Sequence, residues 1–194
     1  MLMQCYSTRG LSTVAAINIS MTVFNVFNIS FLAMGNAIGI VLGHQLGEGK
    51  IEEAKQDAGK HILFSVLICV VTGMMLFSVS SVFPLLYNTT DTVRHTATML
   101  IRVNAVCMPL YAFGNAAYFI LRCGGKTFVT FLFDSCFSWL VIVPCAFILS
   151  RFTRMPTVPL VFTVQLFEVI KCVIGFFMVR SGIWAQNLTK YEKV

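Results

Sequence analysis

Charged residues are scarce in this sequence of 194 residues. There are 14 Lys and Arg and 8 Asp and Glu, which make up only 11% of the chain, whereas 57% of its residues are hydrophobic. Soluble domains carry about 25% charged residues, so this composition excludes an ordinary soluble enzyme and also a disordered or nucleic-acid-binding chain. The formal net charge of +6 then fits loops that face a membrane surface. The composition predicts a membrane protein with no nucleic-acid partner.

Motifs that hold metals, disulfides or phosphates are also missing. The seven cysteines occur singly, without a Cys-x-x-Cys pair, and no two histidines stand at metal-ligand spacing, so neither a zinc site nor a disulfide framework is expected. Gly124-Gly125-Lys126-Thr127 resembles the end of a phosphate-binding loop, but Ile120 stands where that motif needs its first glycine. We therefore expect no enzyme activity and no bound cofactor.

Long apolar runs are what the chain does have. Crossing about 30 Å of hydrocarbon takes about 20 residues in a helix. Five runs are long enough: residues 14–42, 62–87, 97–121, 128–150 and 158–180. The segments between them are short and carry the turn and charge signals. The predicted fold class is all-α, a polytopic transmembrane helix bundle of about five spans that forms a single transmembrane domain over residues 1–194.

The distribution of Lys and Arg predicts the orientation of the bundle. One side of the membrane holds eight of them near the span ends: Lys50, Lys55, Lys60, Arg122, Lys126, Arg180, Lys190 and Lys193. The other side holds four: Arg9, Arg94, Arg151 and Arg154. Because the more basic side faces the cytoplasm, we expect a cytoplasmic C-terminus and an outside N-terminus. No secretory leader explains that N-terminus, which predicts a preceding span in a longer protein; a genuine N-out protein is the alternative.

The first span carries a stripe of polar amides. Asn18, Asn25 and Asn36 fall within about 20° of one line along a helix. Amides that face lipid are left unpaired at a cost in free energy, so the stripe is expected to face other helices or water. It fits either interhelical hydrogen bonding or the wall of a polar cavity. Glycines recur every four residues in this region, at Gly35, Gly39, Gly43 and Gly47, a spacing that lets helices approach closely.

The third span has a second polar face with aromatic residues. Five side chains lie within about 40° of one line: Asn104, Met108, Tyr111, Asn115 and Tyr118. Amides, phenol rings and a thioether suit amphipathic or cationic aromatic ligands through stacking, cation–π contacts and adaptable sulfur. A plain packing seam would be richer in Gly, Ala and Leu. The sequence therefore favours a substrate cavity lined by this face, with the Asn18 stripe as a second wall.

Three ionisable residues lie inside the last two spans. From the rise per residue, Asp134 lies roughly 10 Å, Lys171 roughly 13 Å and Glu168 roughly 18 Å from the cytoplasmic end. Lys171 is therefore placed to pair with Asp134 between helices, or with Glu168 at i,i+3. One lysine does not neutralise two carboxylates, and the acid left over, more readily Glu168, is available to carry a proton. All three are candidates for ion coupling; a structural ion pair is the alternative.

Three short motifs follow one another in a fixed order. The first is Gly43-His44-Gln45-Leu46-Gly47-Glu48-Gly49-Lys50 with Glu52-Glu53-Ala54-Lys55 after it. The second is Phe83-Pro84-Leu85-Leu86-Tyr87-Asn88 leading to Asp91-Thr92-Val93-Arg94, and the third is Leu121-Arg122-Cys123-Gly124-Gly125-Lys126-Thr127. In this order and spacing they resemble the multidrug and toxic compound extrusion (MATE) family. That family places a Gly-Gln-x-x-Gly-x-Gly pattern at the cytoplasmic end of the second helix of each half.

The resemblance implies a twelve-helix antiporter of two six-helix lobes in the plasma (inner) membrane. It implies export of drugs, organic cations or other amphipathic compounds against Na⁺ or H⁺. The ending Ser181-Gly182-Ile183-Trp184-Ala185-Gln186-Asn187-Leu188 resembles the family's C-terminus. The chain would then hold the last five helices, without the first helix of the C-terminal lobe, and its partners would be the small substrate, the lipid bilayer and the N-terminal lobe.

Two further hypotheses remain beside the exporter. The first is a lipid-linked saccharide flippase of a related fold, which would need a more cationic cavity. The second is a non-transporting truncated membrane fragment. The third span also departs from the family pattern, because it contains no Asp or Glu where some members carry a coupling acid. The assignment of coupling to Asp134 or Glu168 therefore rests on the cost of burying charge.

Overall fold

A computed structural model of the chain describes residues 6–7, 10–125, 127–153 and 155–185. Five helices in this part are long and apolar enough to cross a membrane: α1 (Leu11–Gly47), α2 (Ile51–Val79), α3 (Asp91–Cys123), α4 (Phe128–Phe152) and α5 (Thr157–Arg180). The same residues contain no β-strand. The predicted all-α bundle of five spans is confirmed.

The helices extend beyond the apolar runs that predicted them. The 37 residues of α1 span about 55 Å, well above the roughly 30 Å of hydrocarbon. The predicted end of the second span is wrong, because α2 ends at Val79 and not at residue 87. A separate 3₁₀ turn, Phe83–Leu86, follows and contains Pro84, which lacks the N–H that a continuing helix needs. Hydrophobicity continues past the end of α2, so the apolar run alone does not mark it.

Helix α3 is the central helix of the bundle. Half of its most apolar stretch is buried, against 17–22% in the other four helices. It packs against α1, α2 and α5. Small buried residues such as Ala105, Ala112 and Ala116 let these neighbours approach closely. Polar side chains on α3 are therefore enclosed by the other helices.

The turn that follows α5 is fastened to one end of the bundle. Trp184 is only 1% exposed and packs in a cluster with Leu46, Ala54 and Leu121, and its indole Nε1 donates a hydrogen bond to the Val179 carbonyl at 2.9 Å. The α1–α2 loop, the end of α3 and the turn after α5 therefore lie at the same end. A second cluster joins α1, α3 and α5 at the opposite end.

Two irregular stretches interrupt α4 and α5. Helix α4 contains two π-helical segments, Leu132–Cys136 and Ser138–Ile142; Pro144 lies just after them and lacks the N–H that the carbonyl of Leu140 would accept in an α-helix. In α5 the Phe167 N–H bonds to the Val164 carbonyl at 3.2 Å, an i→i−3 bond that tightens the helix. Asp134 lies within the first π-helical segment, and Glu168 directly follows Phe167.

Candidate substrate and ion site

A polar cavity of about 210 Å³ lies between α1, α3, α4 and α5. Its wall is formed by Phe31, Tyr111, Gly114, Asn115, Tyr118, Asp134, Glu168 and Lys171. Three of these belong to the predicted face of α3, and three are the ionisable residues of the last two spans. The fold thus brings into one cavity two groups of residues that the sequence suggests independently.

Lys171 links the two carboxylates of the cavity. Its Nζ lies 2.6 Å from Asp134 Oδ1 on α4 and 4.0 Å from Glu168 Oε2 on its own helix. The lysine side chain is 12% exposed, and its Nζ stands 5.5 Å from the centre of the Phe133 ring. Both pairings that the spacing suggests are present, but only the contact with Asp134 has hydrogen-bond length.

Glu168 is the less tightly held acid. At 4.0 Å its carboxylate is beyond hydrogen-bond distance from the ammonium, and the residue still borders the cavity. With both acids ionised, the trio carries one negative charge more than Lys171 balances. Uncompensated charge in a low-dielectric site is costly. One added positive charge, whether a proton, a metal cation or an organic cation, would balance this excess.

Asn115 fixes the cavity wall against α1. Its Nδ2 donates to the carbonyl oxygen of Phe31 at 2.7 Å. The contact depends on Gly35, where a Cβ atom would lie 2.4 Å from the ring of Phe119 and 2.9 Å from Asn115 Nδ2. Farther along α1, a Cβ at Gly43 would meet nothing within 4 Å. The glycine row thus provides close approach at Gly35 and not along its whole length.

The aromatic residues of the wall are held by neighbouring rings. Tyr111 meets Phe24 edge-on with ring centres 5.5 Å apart, and Tyr118 meets Phe119 edge-on at 5.5 Å. Edge-to-face pairs of this kind are favourable for aromatic rings. Both tyrosines are only partly buried. They offer ring surface next to the carboxylates.

Two residues of the predicted α3 face lie outside this wall. Asn104 is 8% exposed; its Nδ2 donates to Ser20 Oγ at 2.9 Å, and its Oδ1 accepts from Gln165 Nε2 at 2.6 Å. Met108 is fully buried between helices. Helical periodicity correctly gives the direction in which both side chains point. Other helices cover α3 at these two residues, however, so neither side chain borders the cavity.

The Asn18 stripe also lies elsewhere. Asn18, Asn25 and Asn36 are all exposed on α1, and none of them lines the cavity of about 210 Å³. They face the side of α1 that α2 to α5 leave uncovered.

Two residues of the wall, Phe31 and Gly114, are not among the predicted site residues. Phe31 is one apolar residue within a long apolar run. Gly114 lies between Tyr111 and Asn115, and a Cβ there would meet nothing within 4 Å, so its missing side chain leaves space in the cavity. The position of Gly114 inside the polar face of α3 is the one sequence signal for this space.

Comparison with known families identifies the fold. The MatE family profile matches residues 1–148, more than half of the 194 residues. The chain belongs to the MatE family. This family comprises multidrug and toxic compound efflux transporters. The MatE chain is therefore a multi-pass membrane transport protein. No curated protein and no solved structure matches the chain.

The MatE match covers only part of the cavity. It includes α1, α2, α3 and most of α4 and therefore Tyr111, Asn115 and Asp134. Helix α5, with Glu168 and Lys171, lies beyond residue 148. The charged trio is thus described by the geometry of this chain and not by the family match.

Proposed function

We propose that this MatE chain forms five helices of one lobe of a secondary active exporter. It would export drugs, organic cations or other amphipathic compounds by antiport with Na⁺ or H⁺ across the plasma (inner) membrane, with its C-terminus in the cytoplasm. The observation that supports this proposal is the cavity in which Tyr111, Asn115 and Tyr118 face Asp134, Glu168 and Lys171.

The chemistry of the wall suits an organic cation. A cationic ring system gains from stacking on Tyr111 and Tyr118, and the excess carboxylate offers it a counter-charge. The volume of about 210 Å³ is below the roughly 300–1,000 Å³ of pockets that enclose drug-sized ligands. The cavity would therefore be one part of a larger cleft that the N-terminal lobe completes.

Coupling follows from competition for the same charge. When Na⁺ or H⁺ neutralises Glu168, the cavity has less attraction for a cationic substrate; when the ion leaves, the attraction returns. Rigid-body rocking of two lobes would expose the site alternately to the two sides of the membrane. Asp134 and Lys171 would hold the site in place, with Glu168 as the residue that exchanges its partner.

The same cavity argues for an exporter over a flippase. A lipid-linked saccharide carries a pyrophosphate, which requires several cationic groups. The described wall holds one lysine beside two carboxylates, and that lysine is already bonded to Asp134 at 2.6 Å.

The double substitution Tyr111→Ala with Asn115→Ala tests the substrate site. The gene that encodes the chain is expressed in cells that lack other drug exporters. We expect drug efflux to fall at least about tenfold in the double variant, because ring surface and an amide donor are lost together. Tyr87→Ala is the matched control, since Tyr87 packs on Phe83 at 5.9 Å away from the cavity. Undiminished resistance in the double variant would refute the cavity assignment, and absence of efflux from the unaltered gene would favour the truncated fragment.

A further inference from the structure

A second depression lies on another face of the bundle, between α2 and α3. It measures about 220 Å³, and its lining is apolar and includes Val70, Met74, Phe77, Val106 and Pro109. Met74 is 58% exposed and Val106 63% exposed. The groove therefore opens outward from the helix pair. It shares none of its lining with the polar cavity.

The floor of the groove is closed by contact between the two helices. A Cβ atom at Gly73 would lie 2.8 Å from the carbonyl oxygen of Ala105, so α2 and α3 touch there. Pro109 lacks the N–H that this carbonyl would accept in a regular helix. The groove is thus a shallow channel along the surface.

A guanidinium group stands at one end of this channel. Arg102 Cζ lies 5.4 Å from the centre of the Phe77 ring, which also lines the groove. Its Nε donates to Ser80 Oγ at 3.3 Å and its Nη2 donates to Ser81 Oγ at 3.0 Å. The two serines follow directly after the last residue of α2. The arginine therefore reaches from within α3 to the end of the neighbouring helix, as long cationic side chains do near a membrane surface.

Arg102 has no acidic partner in the part of the chain that the structure describes. Within the residues that the structure describes, no carboxylate lies within 4.0 Å of it, whereas Arg94 on the same helix is 3.4 Å from Asp91. A guanidinium is always charged and has five N–H donors, and the two serines accept from two of its nitrogens. Ser80 is fully buried, while Ser81 is exposed. A cation, an exposed hydroxyl and an apolar channel thus meet at one point.

We propose that this groove binds one phospholipid, with its phosphate on Arg102 and Ser81 and one acyl chain along the channel. Ser80 and the Phe77 ring would orient the guanidinium, and bidentate N–H donation is the geometry in which arginine binds phosphate. From Arg102 to Pro109 the channel follows α3 for about 10 Å. The site is independent of the proposed transport function.

A lipid fits this groove better than a protein partner does. A helix with its side chains is about 10–12 Å wide and does not enter a channel of about 220 Å³, whereas a single hydrocarbon chain does. A partner helix would also have to bring its own carboxylate to Arg102. The surrounding bilayer supplies phosphate and hydrocarbon together.

Native mass spectrometry of the purified, delipidated full chain tests the site directly. On titration with phosphatidylglycerol we expect one lipid to bind more tightly than the rest. Arg102→Gln should weaken that binding at least about tenfold, and Ser81→Ala, which keeps the charge and the helix packing, should weaken it by about threefold. Arg151→Gln is the matched control, because Arg151 also stacks on a ring, that of Phe147 at 5.5 Å, and should leave the binding unchanged.

Two further probes identify the part of the lipid that is recognised. Diacylglycerol, which has the chains without the phosphate, should bind far more weakly, and inorganic phosphate should not displace the bound phosphatidylglycerol. Equal binding of diacylglycerol, displacement by inorganic phosphate, or unchanged affinity in both Arg102→Gln and Ser81→Ala would overturn the proposal. Loss of binding in the Arg151→Gln control would also overturn it.

Discussion

At the residue scale, one glycine determines how α1 meets α3. A row of four glycines predicts close helix approach, but the row does not say which member is used. In the structure it is Gly35, beside Phe119 and Asn115, while Gly43 faces open space. The difference arises because side chains of α3 pack against α1 at Gly35 and not at Gly43. The sequence of α1 alone does not show where those side chains lie.

Gly35→Ala is expected to destabilise the bundle. The added methyl group would lie 2.4 Å from the Phe119 ring, and overpacking of this kind costs about 1–3 kcal/mol. Thermal unfolding of the purified protein in detergent measures the change.

Gly43→Ala is the matched control for that measurement. Because it meets nothing within 4 Å, it should be neutral or stabilising by up to about 1 kcal/mol through helix propensity. Equal destabilisation by both substitutions would contradict the account of the contact between α1 and α3.

The charged residues show how far the sequence reaches at this scale. Similar depths in the membrane suggest the pairing of Asp134 with Lys171, and the structure places these groups 2.6 Å apart. The prediction that Glu168 is the acid left over agrees with its longer distance of 4.0 Å from Lys171 Nζ. That all three residues share a cavity with Tyr111 depends on which helices are neighbours. Depth and periodicity do not contain that information.

At the element scale, the apolar runs predict the helices but not their irregular parts. The π-helical turns of α4 and the tightened turn at Phe167 leave hydrophobicity unchanged. The end of α2 at Val79 likewise produces no change in hydrophobicity. The face of α3 is predicted in direction only, because Asn104 is covered by α1 and α5 while Tyr111 borders a cavity.

The turn after α5 gives a prediction for the elements that it joins. Trp184 is 1% exposed and joins the ends of α1, α2 and α3, so Trp184→Ala should cost about 3–5 kcal/mol in unfolding free energy. Chemical denaturation in mixed micelles measures the loss.

Trp139→Ala, at the other tryptophan of the chain, is the control. Trp139 is 58% exposed on α4, so its replacement should change the unfolding free energy by less than about 1 kcal/mol. A smaller loss at Trp184 than at Trp139 would show that the turn does not hold the bundle together.

At the scale of the whole molecule, the Asn18 stripe faces away from the five-helix bundle. If a second lobe stands opposite it across an aqueous cleft, Asn25→Cys should react with a membrane-impermeant maleimide. The increment over the seven native cysteines is the quantity to measure. Val71→Cys, at a residue 54% exposed on α2, should stay unlabelled because it faces lipid. Equal labelling at both positions would rule out the cleft.

In the proposed exporter, one cavity binds the substrate and the coupling ion in competition. Glu48, in the loop between α1 and α2, serves as the control for substitutions at Glu168. Its carboxylate lies 2.8 Å from Lys50 Nζ. The hydrogen bond and the charge of Lys50 hold the pKa of Glu48 below its ordinary value. Glu48 therefore stays ionised from about pH 6 to about pH 8, and its replacement should not alter a pH dependence in that range.

The most direct test measures the affinity of the purified protein for a fluorescent organic cation such as ethidium. Sodium concentration is varied first, and then pH between about 6 and about 8. Added Na⁺ or added protons should weaken binding to the unaltered protein and to Glu48→Gln. In Glu168→Gln this dependence should disappear. A Glu168→Gln variant that keeps the full dependence, or an unaltered protein that shows none, would contradict the account.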